Sequence, residues 1–177
     1  ETRFLIAIED NGPGIVRAQV PKIFGRLLYG SKFHRLKQSR GQQGIGISAA
    51  GMYGLLTTGK PVHITTRIKK KDAHHFQLVI DTQKNEPRVK TDKVAKWKKE
   101  HGTRVEIELE GAYRGGQHSV EAYIRQISLA NPHAELFFQP PAPMKKDAEG
   151  GEAAAAPEVI HHKRVTKELP DETKEIK

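Results

Sequence analysis

Two glycine-rich segments near the start of the chain carry residue types from which a ligand site can be built. The first is Asp10-Asn11-Gly12-Pro13-Gly14, which directly follows an apolar run. A carboxylate can accept a hydrogen bond from an exocyclic amine, and Gly12 and Gly14 would let the backbone approach a flat ring without a Cβ in the way. Tight turns use the same residue types. Taken alone, this segment is more typical of a turn than of a ligand site.

The second segment is Gly41-Gln42-Gln43-Gly44-Ile45-Gly46-Ile47-Ser48, which lies between a basic connector and a predicted helix. Glycines at a helix N-terminus leave backbone N–H groups free to surround phosphates, and the helix dipole adds its positive end. The order G-x-x-G-x-G matches neither the dinucleotide-binding nor the P-loop pattern. A glycine-rich helix start that packs closely on its neighbours explains the segment equally well.

The elements that must position these segments follow from the spacing of apolar residues. Four are predicted in the first part of the chain: a strand over 4–8 buried on both faces, a short helix or two turns broken at Pro21 over 16–28, a polar connector over 29–43 and a helix over 44–56 closed near Gly59. The first segment therefore ends a strand, and the second begins a helix.

The period changes to two after Pro61. The predicted elements are strands over 62–68, 76–80 and 105–109 forming an antiparallel meander, a helix over 120–129 capped by Ser119 with Tyr123, Ile124 and Ile127 inward, and two further strands over 136–138 and 159–165. We expect one domain over 1–139 and 158–177, with 140–157 as a Pro/Ala/Gly-rich exposed loop. Helices beside a mostly antiparallel sheet indicate an α+β two-layer sandwich with the helices on one face.

Composition excludes several classes of protein. The 177 residues carry a net charge of +9 and no cysteine, so disulfides and thiolate chemistry are excluded. No apolar run reaches the ~18 residues of a membrane span. Residues 67–104 hold 12 Lys and Arg against 5 Asp and Glu, which is typical of a surface facing nucleic acid phosphates or of protected edge strands. The adjacent pairs His74-His75 and His161-His162 point to opposite strand faces, so no metal site is predicted.

In this order, a carboxylate-glycine turn, a basic connector and a glycine-rich helix start resemble the two glycine boxes and the lid of the GHKL ATPases. Further segments resemble one family within this superfamily, the B subunits of the type IIB DNA topoisomerases. These segments are FGRLLYGSKF over 24–33, LEGAY over 109–113, SVEAYIRQ over 119–126 and ANPHAE over 130–135. The resemblance implies the sandwich fold of the GHKL type.

The resemblance also implies the site and its cofactors, ATP and Mg²⁺. Asp10 would recognise the adenine amino group, with Gly12 and Gly14 beside it and the Thr103 hydroxyl near the ring. Ser31 and Lys32 match lid positions that contact the nucleotide. The phosphate loop would comprise Gly41, Gln42, Gln43, Gly44, Ile45, Gly46, Ile47 and Ser48. In this family the catalytic Glu and the Mg²⁺-binding Asn precede the first box, so we expect this chain to be an internal fragment that hydrolyses no ATP unaided.

By resemblance, ATP binding and hydrolysis drive two B subunits to dimerise and pass double-stranded DNA through a break made by the A subunit. The implied partners are the A subunit, a second B subunit and duplex DNA, with no membrane and a cytoplasmic, nucleoid-associated location. Two alternatives stay open: another GHKL ATPase, MutL-like or chaperone-like, and a non-catalytic nucleotide-binding or interaction module. Nucleotide titration separates the second alternative from the others.

Overall fold

The computed structural model describes residues 2–29, 43–141 and 157–171. The chain divides into two compact units, one ending at Gly111 and the other beginning at Ala112. The single domain over 1–139 and 158–177 stays a prediction. The predictions for Ser31, Lys32, Gly41 and Gln42, and for nearly all of the loop over 140–157, lie outside the described residues.

The first unit is a five-stranded antiparallel sheet with two helices on one face. Its elements are β1 (Thr2–Asp10), a 3₁₀ turn (Arg17–Gln19), α1 (Val20–Gly25), α2 (Gly46–Thr58), β2 (Val62–Arg67), β3 (Ala73–Asp81), β4 (Glu86–Ala95) and β5 (Gly102–Gly111). The strand order is β1-β5-β2-β3-β4. The predicted α+β sandwich is confirmed.

The core lies between this sheet and the two helices. Buried side chains from both layers form one cluster: Val20, Phe24, Val62, Ile64, Phe76, Leu78 and Ile107. Helix α2 approaches the sheet through glycines, since a Cβ on Gly51 would lie 2.7 Å from Cγ2 of Val62 and one on Gly54 would lie 2.6 Å from Cγ2 of Ile107. The small residues of α2 thus allow a short distance between helix and strands.

The predicted meander is wrong in its order. Strand β5 pairs with β1 on one side and β2 on the other, so it does not continue outward from β3. The outer position is taken by β4, which the sequence did not indicate as a strand. Only three of its ten residues are partly buried, all others being exposed. An edge strand that is exposed to solvent on both faces lacks the alternation of apolar residues by which a strand is predicted.

Two predictions near the start of the chain also need correction. Strand β1 is not buried on both faces, because Leu5 and Ile8 are 65% and 68% exposed at the edge of the sheet. Pro21 does not break a helix, because it lies in the first turn of α1. The first turn has no intrahelical acceptor for its N–H groups, so proline is tolerated there.

The second unit contains α3 (Val120–Ala130), β6 (Leu136–Phe138) and β7 (Ile160–His162), and β6 and β7 pair antiparallel. Ser119 caps α3 as predicted, its Oγ accepting from the backbone N–H of Ala122 at 3.1 Å. Tyr123 is 63% exposed, so its predicted inward position is wrong. It lies about 100° around the helix from Ile124. Throughout the part of the chain that the structure describes, no helix is long and apolar enough to cross a membrane.

Candidate functional site

The carboxylate of Asp10 is held by two backbone donors where β1 ends. Its Oδ1 accepts from the N–H of Gly12 at 2.8 Å and from the N–H of Thr103 at 3.0 Å. Asp10 and Thr103 are direct partners in the β1–β5 ladder, which brings them together across 93 residues of sequence. Among the described residues, no donor reaches Oδ2. One carboxylate oxygen therefore builds the turn and the other is open to a ligand.

The segment after Asp10 packs against the start of β5. The Nδ1 of His101 lies 2.8 Å from the carbonyl oxygen of Gly12. Gly102 has a φ of +129°, and a Cβ there would lie 2.2 Å from the carbonyl oxygen of Asp10. Only glycine fits this conformation and this close approach. The turn and the ligand site, which the sequence set against each other, are compatible in one structure.

Thr66, in β2, connects the segment that follows this turn to the start of β5. Its side chain is 2% exposed, and Oγ1 accepts from the N–H of Ile15 at 2.9 Å. The same oxygen lies 3.1 Å from the carbonyl oxygen of Gly102 and 3.1 Å from Oγ1 of Thr103. Sequence reasoning missed Thr66. The signal was a hydroxyl at a position where the alternation of β2 predicts a buried apolar residue.

Gly14 closes the turn against the same strand. Its φ is +78°, and a Cβ would lie 2.1 Å from the carbonyl oxygen of Arg67. A backbone atom cannot move aside as a flexible side chain can. The second glycine of the predicted box is therefore required by packing, whatever it does for a ligand.

The N-terminus of α2 has backbone donors without an intrahelical acceptor. Its N-cap residue, Ile45, supplies no side-chain hydrogen bond, and the first helical bond runs from Ala49 to Ile45. The N–H groups of Gly46, Ile47 and Ser48 have no intrahelical acceptor. A Cβ built on Gly46 meets nothing within 4 Å. This helix start has the donors, the positive dipole end and the space that a phosphate needs.

Two side chains of the second segment serve the fold. Ser48 is fully buried, and its hydroxyl donates to the carbonyl oxygen of Arg26 at 3.2 Å. Ile47 packs against the core cluster. Because both side chains are used in packing, only the backbone N–H groups of Ile47 and Ser48 remain for a ligand at the helix start. Gly44 has a φ of +66°, and a Cβ on it would lie 2.3 Å from the carbonyl oxygen of Tyr29.

Helix α2 packs on the sheet through its C-terminal half. Gly54 lies over Ile107, and Thr57 Oγ1 accepts from the N–H of Glu110. These contacts place the C-terminal half of α2 over the part of β5 from Ile107 to Glu110, whereas Asp10 pairs with Thr103 near the start of β5. The sequence places the two segments within about fifty residues of each other.

The acid that precedes Asp10 is engaged elsewhere. Glu9 forms ion pairs with Lys99 and with Arg104, the latter at 3.1 Å. The hydrogen bond from Lys99 is the main reason that the pKa of Glu9 is lowered, with burial opposing it. The hydrogen bond to Glu106 is the main reason that the pKa of Arg104 is raised. Because successive residues of a strand point to opposite faces, Asp10 is the carboxylate on the helix side.

The fold agrees with comparisons to known proteins. Residues 1–111 match the family model described as "Histidine kinase-, DNA gyrase B-, and HSP90-like ATPase". The chain belongs to this ATPase family. A protein of Natronomonas pharaonis, named as the B subunit of type 2 DNA topoisomerase 6, is 44% identical over 98% of this chain and 20% of its own length.

Proteins of the same name from two other organisms are similar to the same extent. The one from Methanococcoides burtonii is 44% identical over 97% of this chain and 26% of its own length. The one from Archaeoglobus fulgidus is 44% identical over the whole chain and 27% of its own length. The chain thus spans about a fifth to a quarter of the length of these relatives.

Proposed function

We propose that this chain is the ATP-binding part of a topoisomerase VI B subunit. The observation that carries the proposal is the Asp10 carboxylate, which is fixed through Oδ1 and, among the described residues, meets no donor at Oδ2. The start of α2, whose N-cap residue supplies no side-chain hydrogen bond, adds backbone donors for phosphates. Membership of the ATPase family supports the nucleotide. The similarity to proteins named as B subunits of type 2 DNA topoisomerase 6 supports the larger assembly.

In this proposal Asp10 Oδ2 accepts a hydrogen bond from the adenine amino group, while Gly12 and Gly14 leave room for the ring. The phosphates lie at the N–H groups of Gly46 to Ser48. Gln43, Gly44 and Ile45 shape the approach to this helix start, and the Thr103 hydroxyl lies beside the base. By resemblance, Ser31, Lys32, Gly41 and Gln42, which lie outside the described residues, would also contact the nucleotide. Mg²⁺ would accompany the phosphates and take its protein ligand from an Asn outside these residues.

The proposed role of the whole protein follows from linkage. ATP can shift an equilibrium between open and dimerised B subunits only by its difference in affinity for the two states. Two B subunits closed by ATP would then pass one duplex through a break held by the A subunit. This chain would supply the nucleotide affinity that drives closure, and a catalytic Glu outside it would supply hydrolysis.

The substitution Asp10→Asn tests the nucleotide site without dismantling the turn. Asparagine keeps an oxygen to accept from Gly12 and Thr103, but it places an NH₂ group where the adenine amine needs an acceptor. We expect the Kd for a non-hydrolysable ATP analogue to rise at least tenfold by calorimetry, and the preference over the inosine analogue, which carries an oxygen at that position, to shrink or reverse. The exposed turn variant Asp72→Asn serves as the matched control.

Two results would contradict the proposal. If Asp10→Asn left the nucleotide affinity and the base preference unchanged, Asp10 would not be a ligand of the adenine amino group. Failure of the unaltered full-length protein to bind any nucleotide would favour the interaction module instead.

A further inference from the structure

Two lysine-rich loops lie side by side at one end of the sheet. The β2–β3 turn covers 68–72, and the β4–β5 connection covers 96–101. Arg67 pairs with Gly102, and Ala73 pairs with Ala95, so the strands that flank both loops are neighbours. Loops that are distant in sequence therefore form one surface.

Arg67 joins the two loops. Its Nε donates to the carbonyl oxygen of Lys71 at 2.8 Å, and its Nη1 donates to the carbonyl oxygens of Trp97 at 3.3 Å and Lys99 at 3.1 Å. A guanidinium with several donors in a rigid fork suits this task. The lysines on the two loops are therefore held close together by the backbone.

We call the exposed lysines of these loops the basic corner: Lys69, Lys70, Lys71, Lys96 and Lys98. In the described part of the chain none of the five forms an ion pair, whereas Lys99 pairs with Glu9. The two loops contain two acids, Asp72 and Glu100. The ammonium groups of the basic corner are thus available to a partner.

This arrangement costs stability that the fold does not require. Like charges held together repel each other. Lys70 has a φ of +63°, a conformation that glycine or asparagine adopts at a lower cost. Protection of an edge strand does not account for the basic corner, because β4 carries its own Lys90 and Lys93 and the corner lies on loops.

We propose that the basic corner binds the phosphate backbone of double-stranded DNA. Duplex DNA presents about one negative charge per 1.7 Å of its axis, so one duplex meets several fixed ammonium groups at once. The loops offer positive charge without a helix or strand that could enter a groove, so binding is independent of base sequence. The inference rests on the proposed function only for the choice of DNA among polyanions.

The test compares two triple variants of the full-length protein with equal loss of charge. Lys70→Gln, Lys96→Gln and Lys98→Gln together neutralise both loops, while Lys22→Gln, Lys60→Gln and Lys84→Gln neutralise exposed lysines outside them. The Kd for a labelled duplex of about 30 base pairs is measured by fluorescence anisotropy at several KCl concentrations, without nucleotide. A third variant carries Arg at positions 70, 96 and 98.

We expect the corner variant to bind at least tenfold more weakly at about 100 mM salt, with the slope of log Kd against log salt reduced by about 2 to 3. The control and the Arg variant should stay within about threefold of the unaltered protein. Equal Kd and slope in the corner and control variants would overturn the inference, and so would a loss of heparin binding with duplex binding intact. Failure of the proposed nucleotide site shows separately, because Asp10→Asn should leave this DNA affinity unchanged.

Discussion

The two ends of the candidate nucleotide site differ in how far the protein completes them by itself. At the Asp10 end, the Asp10 carboxylate, the Thr66 hydroxyl and the His101 ring each form hydrogen bonds with backbone groups, and two glycines are packed against backbone atoms. At the start of α2, the N-cap residue Ile45 supplies no side-chain hydrogen bond, and a Cβ on Gly46 would meet nothing within 4 Å among the described residues. One end is organised in advance of the ligand, and the other keeps its donors for it. Substitutions at the first end should therefore cost stability, whereas replacement of Gly46 at the second should change ligand binding without such a cost.

The largest effect is expected for Gly14→Ala, which breaks the organised end. The φ of +78° and the contact of 2.1 Å with the Arg67 carbonyl oxygen combine backbone strain with a clash. We expect the free energy of unfolding to fall by about 3 kcal/mol in urea titration. Gly59→Ala is the control: its φ is +71°, but nothing lies within 4 Å, so its loss should be about 1 kcal/mol. Equal losses would show that Gly14 is not packed as described.

Thr66→Val removes the buried hydroxyl at the centre of the same end. The partly buried N–H of Ile15 and the buried carbonyl oxygen of Gly102 then each lose a partner. A loss of about 2 kcal/mol in the free energy of unfolding is expected. Thr82→Val, on an exposed turn, should change it by less than about 0.5 kcal/mol. A Thr66 variant as stable as this control would refute the role given to the hydroxyl.

Gly46→Ala sharpens the comparison at the open end. The free space admits a Cβ, and alanine inside a helix is favoured over glycine by up to about 1 kcal/mol, so stability should rise slightly. The same Cβ would occupy the approach of the phosphates. We expect the Kd for the ATP analogue to rise about fivefold while the Kd for adenosine stays unchanged, both measured by calorimetry. Parallel weakening of the two ligands would place the phosphates elsewhere.

Sequence reasoning succeeded where the information is local. Helix α2 with its αL residue at Gly59, the Ser119 cap and the pairing of β6 with β7 agree with the expected elements. It failed for β4, because the charged, exposed residues of this strand lack the apolar alternation that predicts a strand. It also failed for β1, because its apolar residues predict burial on both faces, whereas the strand lies at the edge of the sheet. Burial depends on neighbours that are distant in sequence.

The sequence by itself determined the two glycine segments, the helices and most strands, the sandwich class and the basic stretch, because capping, turn residues and apolar periodicity act over a few residues. Only the tertiary structure decided that Thr103 holds Asp10, that Thr66 joins three segments and that Arg67 unites two basic loops. It also separated the Ser48 hydroxyl, which is used by the fold, from the Ser48 N–H, which is free at the helix start. Apart from the bond between Arg67 and Lys71, these contacts span 22 to 93 positions of sequence. Strand order and register, which no local pattern encodes, set their distances.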